Sequence, residues 1–128
     1  MNYGVLGAVA AGGAIGSVAR YLLDGFIQSL TRSPFPFGIF VVNITGGLII
    51  GVLTEMMALK WNVSQEMRSF LVTGILGGYT TFSTFSLQSA LLIERQAYGQ
   101  AAVYVTGSVV LSIVGFFAGT WLIRLVYA

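Results

Sequence analysis

Residues 74–86 read Gly74-Ile75-Leu76-Gly77-Gly78-Tyr79-Thr80-Thr81-Phe82-Ser83-Thr84-Phe85-Ser86. The run lies inside an otherwise apolar stretch from Phe70 to Ile93, long enough for a helix to cross about 30 Å of hydrocarbon. An uninterrupted apolar helix has no use for paired glycines followed by five Ser/Thr hydroxyls within residues 80–86. Paired glycines and β-branched threonines are poor helix formers, so the spacing predicts a break between Gly77 and Thr81. Carbonyls are then freed on one side of the break and N–H groups on the other. Interrupted helices of this kind build ion sites at the midplane of transporters. Freed carbonyls suit a cation, and a new helix N-terminus favours an anion. Back-bonding of hydroxyls to the preceding turn accounts for one or two of them, not for five.

Outward from this stretch, three more spans run from Tyr3 to Leu30, Phe37 to Leu59 and Ala101 to Ile123. The connections are short, and the first holds both prolines, Pro34 and Pro36. Sequential helices are therefore expected to run antiparallel. A hydrophobic fraction of 56% with 8% charged residues and a mean hydropathy of +0.88 rule out a water-soluble surface. The expected fold is an all-α membrane protein, a single four-helix transmembrane domain over residues 1–128 with a break in the third helix. The first span lacks the basic leader of a secretory signal and stays apolar past position 20, so a retained helix is expected.

The chain has no cysteine and no histidine. Disulfides, thiolate or imidazole metal sites and His-dependent nucleophile systems are excluded together. Six basic and four acidic residues are scattered, with no run that would track phosphates, so nucleic acid is not an expected partner. The basic residues also fail to set an orientation. Lys60, Arg68 and Arg124 fall on one side and Arg32 and Arg95 on the other, and Arg20 makes the tally even if counted. Single and dual insertion are equally compatible with that balance.

Each span carries a glycine pair four residues apart: Gly12 and Gly16, Gly47 and Gly51, Gly74 and Gly78, Gly115 and Gly119. In lipid, such small-residue faces let helix backbones approach closely, and these glycines are read as packing faces. Polar groups at membrane depth are candidates for function. Asn43 is an amide deep in the second span, with two N–H donors, and interhelical bonding is its plainer role. Phe82 and Phe85 share a helix face beside Ser83, Thr84 and Ser86. Arg20 and Asp24 form an i, i+4 pair able to neutralise itself. Tyr104, Ser108 and Ser112 recur at four-residue spacing as one hydroxyl stripe, able to line a narrow polar path.

The run from Gly12 to Tyr21 (GGAIGSVARY), the Val42-Asn43 pair followed by Gly46-Gly47, and above all the Gly74–Ser86 run resemble the Fluc fluoride channels, or CrcB family, over nearly the whole chain. The resemblance implies a dual-topology antiparallel homodimer in a bacterial inner membrane. Such a dimer passes fluoride passively out of the cytoplasm through two pores. It implies that Asn43, Phe82 and Phe85 line the pores, that Ser83, Thr84 and Ser86 form a polar track, and that Tyr104 and Ser108 are fourth-helix pore positions, with Ser112 continuing that stripe. It places Arg20 near a pore entrance. It also implies a structural Na⁺ at the dimer centre, held by the backbone carbonyls of Gly77 and Thr80 from both subunits. Where the family commonly carries a glutamate, this chain has Gln88, so no carboxylate stands at that pore position.

The alternative is a small dual-topology, proton-coupled multidrug exporter. It would need a carboxylate at mid-membrane, whereas Asp24, Glu55 and Glu94 sit towards span ends. A non-conducting scaffold built on the glycine faces leaves the hydroxyl cluster unexplained. No enzymatic chemistry is expected.

Overall fold

The computed structural model describes residues 2–127, and all of its regular structure is helical. Helix α1 is Tyr3–Thr31 and α2 is Phe37–Leu59. The third span, Gln65–Glu94, is assembled from α3 (Gln65–Arg68), a π-helix (Ser69–Leu76), α4 (Gly77–Tyr79) and α5 (Phe82–Glu94). Helix α6 is Tyr98–Tyr127. Four helices are long and apolar enough to cross a membrane, and the third is bent.

Helices α1 and α2 keep the expected bounds to within one residue, while the third span and α6 run further than their apolar stretches. The third span starts at Gln65, ahead of Phe70, because Ser64 caps it: its Oγ accepts from Met67 N at 3.1 Å. Asn2 caps α1 at its expected start, accepting from Val5 N at 3.2 Å. A side-chain acceptor satisfies one of the first-turn N–H groups that otherwise lack partners, so a helix can begin in the polar interface.

The glycine pairs sort the four spans into two couples. Gly12 and Gly16 lie against the third span, and Gly74 and Gly78 return the contact, so a Cβ on Gly74 would stand 2.9 Å from Gly12 Cα. Gly47 and Gly51 lie against the Ser112 and Phe116 backbone of α6, while a Cβ on Gly115 would stand 3.3 Å from the Ile44 carbonyl. In both couples residue numbers rise together, so the closest contacts join helices that run in the same direction. Sequential helices touch less intimately. Helix α1 meets α2 near its far end, where Gln28 Oε1 accepts from Gly38 N at 3.0 Å.

Where the two couples meet, the first connection folds inward. Phe35 is buried and packs edge-to-face on Tyr104, with ring centroids 5.7 Å apart at 86°. Ile39, Leu92 and Ala101 complete this small core. At the opposite end of α2, Arg124 donates to Glu55 through Nε at 3.1 Å and Nη2 at 3.3 Å. This is the one ion pair among the described residues. Arg20 and Asp24 are not within ion-pair distance, contrary to the expectation from their spacing.

Candidate functional site

The third span breaks at its two threonines, not at its glycines. Gly77 is helical, at φ −63° and ψ −36°. Thr80 (φ −81°, ψ 157°) and Thr81 (φ −150°, ψ 123°) are extended. The break thus falls within the predicted interval, for a reason lying 38 residues away. The Asn43 side chain grips the Thr81 peptide at two points: Nδ2 donates to Thr81 O at 3.2 Å, and Thr81 N donates to Oδ1 at 3.0 Å. These two bonds replace the helical partners that Thr81 gives up, so the interruption leaves no deficit there. Thr81 Oγ1 then caps α5 by accepting from Thr84 N at 3.1 Å. Thr80 Oγ1 donates back to Leu76 O at 2.9 Å. With Ser83 Oγ 3.4 Å from Thr81 Oγ1, local bonding accounts for three of the five hydroxyls.

On the other side of the break, the carbonyls of Gly77, Gly78, Tyr79 and Thr80 accept no hydrogen bond among the described residues. Tyr79 is anchored by its hydroxyl, 2.8 Å from Thr45 Oγ1. Gly46 makes room for the bend, since a Cβ there would collide with the Thr80 methyl.

Asn43 joins two cavities at this point. An inner cavity of about 310 Å³ is lined by Asn43, Thr80, Thr81, Phe82, Phe85, Ser108, Val109, Ser112 and Ile113. A middle cavity of about 300 Å³ shares Asn43, Thr80 and Ser112 and adds Gly46, Gly47, Ile50, Val72, Leu76 and Gly77. Neither is lined by a charged side chain. Ser112 Oγ donates to the Asn43 carbonyl at 3.2 Å, tying α6 to the same junction. Asn43 retains one Nδ2 hydrogen beyond the clamp.

The expected site residues separate into groups. Asn43, Thr80, Phe82, Phe85, Ser108 and Ser112 meet around the inner cavity, and Gly77 lines the middle one. Phe82 is 77% exposed, with its ring 5.7 Å from that of Phe85. Tyr104, expected to continue the Ser108–Ser112 stripe, is fully buried in the aromatic core, where its ring lies 5.3 Å from Phe85. Its hydroxyl and that of Ser108 are buried without hydrogen-bond partners. Ser83 and Ser86 lie exposed on the outer face of α5, and Thr84 and Gln88 are half-buried away from the cavities. Arg20 is half-buried on α1 and lines neither cavity. The residue that sequence reasoning passed over is Thr81, whose peptide is the object of the Asn43 clamp. Its Ser/Thr position just ahead of an apolar helical run was the available signal.

A family profile described as CrcB-like protein, Camphor Resistance (CrcB), matches residues 7–120. The chain belongs to the CrcB family. Among its CrcB relatives, a fluoride-specific ion channel FluC of Caulobacter sp. (strain K31) is 50% identical over 121 residues, covering 94% of each chain. A protein of the same name from Nitrobacter winogradskyi is 48% identical over 126 residues, 98% of this chain and 100% of the relative. Another, from Agrobacterium fabrum, is 53% identical over 111 residues, 87% of this chain and 89% of the relative.

Proposed function

We propose that this chain is a passive fluoride-selective channel that lets fluoride leave the cytoplasm. It works as a dual-topology antiparallel homodimer with two pores. It is a multi-pass protein of the bacterial inner membrane and, as a member of a channel family, not an enzyme. The observation that carries the reading is the uncharged path through Asn43, where a half-used amide, hydroxyls and aromatic rings surround the break. An unsolvated anion in hydrocarbon is prohibitively costly, so a conducting path must offer donors along its length. Amide and hydroxyl hydrogens and the positive ring edges of Phe82 and Phe85 can do so. None of these groups is a fixed charge that would hold the ion, which suits release as well as binding. The cavities contain no carboxylate to exchange protons, which disfavours a drug exporter.

Two features support the dimer. The inner cavity opens beside a phenylalanine that one copy leaves exposed, and the freed Gly77 carbonyl belongs to an exposed residue. The near-even charge balance leaves insertion in both orientations open to the chain. Efflux of fluoride from proteoliposomes, with chloride and a drug cation as controls, tests the activity. Two lysines added beside Lys60 should lock one orientation and lower that efflux, and an oppositely biased copy should restore it. Full activity from one biased copy alone would refute the antiparallel pair.

A structural Na⁺ fits the same arrangement. The carbonyls of Gly77 and Thr80 are neutral oxygens with no donor of their own, the ligand type that hard cations take. One copy supplies too few of them for a closed site, and two would share the ion. Bound Na⁺ would stabilise the dimer by mass action. Replacing Na⁺ with a large organic cation should therefore weaken both dimer and flux after exchange, and unchanged stability and flux would exclude the site.

A further inference from the structure

Beside the middle cavity lies a wider one, with a cation that no carboxylate among the described residues pairs. An outer cavity of about 400 Å³ is lined by Arg68, Ser69, Thr73 and Thr54, with Met57 and Val72 among its apolar walls. Val72 also lines the middle cavity, whose far end is Asn43. Arg68 is exposed, and among the described residues its guanidinium makes no ion pair and donates no hydrogen bond. Neither Glu55 nor Glu66, the acidic residues on the adjoining segments, pairs with it. Glu55 is held by Arg124 at 3.1 and 3.3 Å. Glu66 lies against α1, its Oε1 3.0 Å from where a Cβ of Gly4 would stand. The hydroxyls divide in the same way. Thr54 Oγ1 donates to its own helix, to Ile50 O at 2.8 Å. Those of Ser69 and Thr73 donate to nothing among the described residues, so with Arg68 they put three uncommitted donor groups around one cavity.

We propose that Arg68, Ser69 and Thr73 form an anion-gathering site at the mouth of the path, taking small hydrated halides without discriminating among them. The inference rests on the channel reading above and deepens it. A fixed charge set in a low-dielectric concave wall focuses its field and raises the local concentration of counter-ions. Arg68 is open to water, so an anion can keep most of its hydration there and leave easily. Loss of hydration, and with it selection, is left to the uncharged stretch past Val72. A gathering site therefore acts on rate and leaves the choice of ion alone. Its contribution should shrink with salt, because the screening length falls from about 30 Å at 0.01 M to about 10 Å at 0.1 M.

The test is fluoride and chloride efflux from phosphatidylcholine vesicles carrying the parent, Arg68→Gln or Arg68→Lys, at about 10 mM and about 300 mM ionic strength. Arg68→Gln should conduct fluoride about threefold more slowly at low ionic strength and near the parent rate at high, with an unchanged fluoride-to-chloride ratio. Arg68→Lys should keep most of the parent rate. A parent that does not conduct fluoride overturns the channel reading itself. A conducting parent matched by Arg68→Gln at both ionic strengths overturns the gathering site alone. A loss equal at both ionic strengths also overturns it, since that is the mark of disturbed packing. The same comparison in vesicles containing phosphatidylglycerol separates a free halide from a lipid phosphate. A difference between parent and variant seen only with the anionic lipid assigns Arg68 to a headgroup and overturns the proposal.

Discussion

Asn43→Asp is expected to cut fluoride efflux about 100-fold or more. Two losses combine. The spare Nδ2 hydrogen, the amide donor at the junction of the two cavities, is replaced by an acceptor oxygen facing an anion. The clamp also fails on one side, because a carboxylate oxygen stands where Nδ2 donates to the Thr81 carbonyl at 3.2 Å, while the bond from Thr81 N at 3.0 Å survives. Losing a hydrogen bond and leaving a carbonyl unsatisfied costs about 1–3 kcal/mol, which strains the break without dissolving two glycine-packed helix couples. The checks are efflux together with amide hydrogen exchange. Exchange at the break should quicken while the rest of the chain keeps its protection. Asn43→Asp with near-parent flux would remove Asn43 from the conducting path and leave it only the clamp.

The apolar spans and the glycine packing faces were legible because both follow from local composition: a span needs about 20 apolar residues, and close helix approach needs small side chains on one face; which span packs on which was not. The full reach of the third and fourth spans was not, since hydropathy sees only the hydrocarbon. Ser64 starts the third span in the polar interface through a single capping bond. The π-helix from Ser69 to Leu76 has no signature in residue type. The glycines were given the wrong part in the break. Gly77 and Gly78 stay helical, and Gly78 serves close packing, with a Cβ there 2.6 Å from the Gly13 carbonyl. The unwinding falls on Thr80 and Thr81 because Asn43, in another helix, offers the Thr81 peptide a second set of partners.

The same limit applies at the site. Spacing of four put Tyr104, Ser108 and Ser112 on one stripe, and the stripe exists, but its members meet different neighbours. The connection from Arg32 to Pro36 turns Phe35 inward onto Tyr104, whereas Ser108 and Ser112 face the cavity. Ring position along a stripe is local, and what covers it is not. Arg68 entered the sequence reading only as a charge in an orientation tally, and its place at the mouth emerges when α2 and the third span are brought together.

The two phenylalanines are expected to separate ring chemistry from packing, because they differ in what else they touch. Phe82 is 77% exposed and meets the ring of Phe85, while Phe85 is half-buried and also stacks on Tyr104 at 5.3 Å. Replacing either by Ile keeps an apolar side chain and removes the positive ring edge that an anion would contact. Phe82→Ile should leave thermal stability near the parent value and still reduce fluoride efflux at least about tenfold, a step of about 1.4 kcal/mol in the barrier. Phe85→Ile should show a comparable loss of flux together with about 0.5–1.5 kcal/mol of lost stability, from its aromatic pair with Tyr104. Met at either site is the graded case, since its polarizable thioether replaces part of the ring's contact, and intermediate flux is expected. Efflux and melting temperature measured on the same preparations decide between the roles. Ile variants that conduct at the parent rate would show the rings to be packing alone, and the unpartnered hydroxyl of Ser108 and the Asn43 amide would then be left as the free donors lining the inner cavity, since Ser112 already donates to the Asn43 carbonyl.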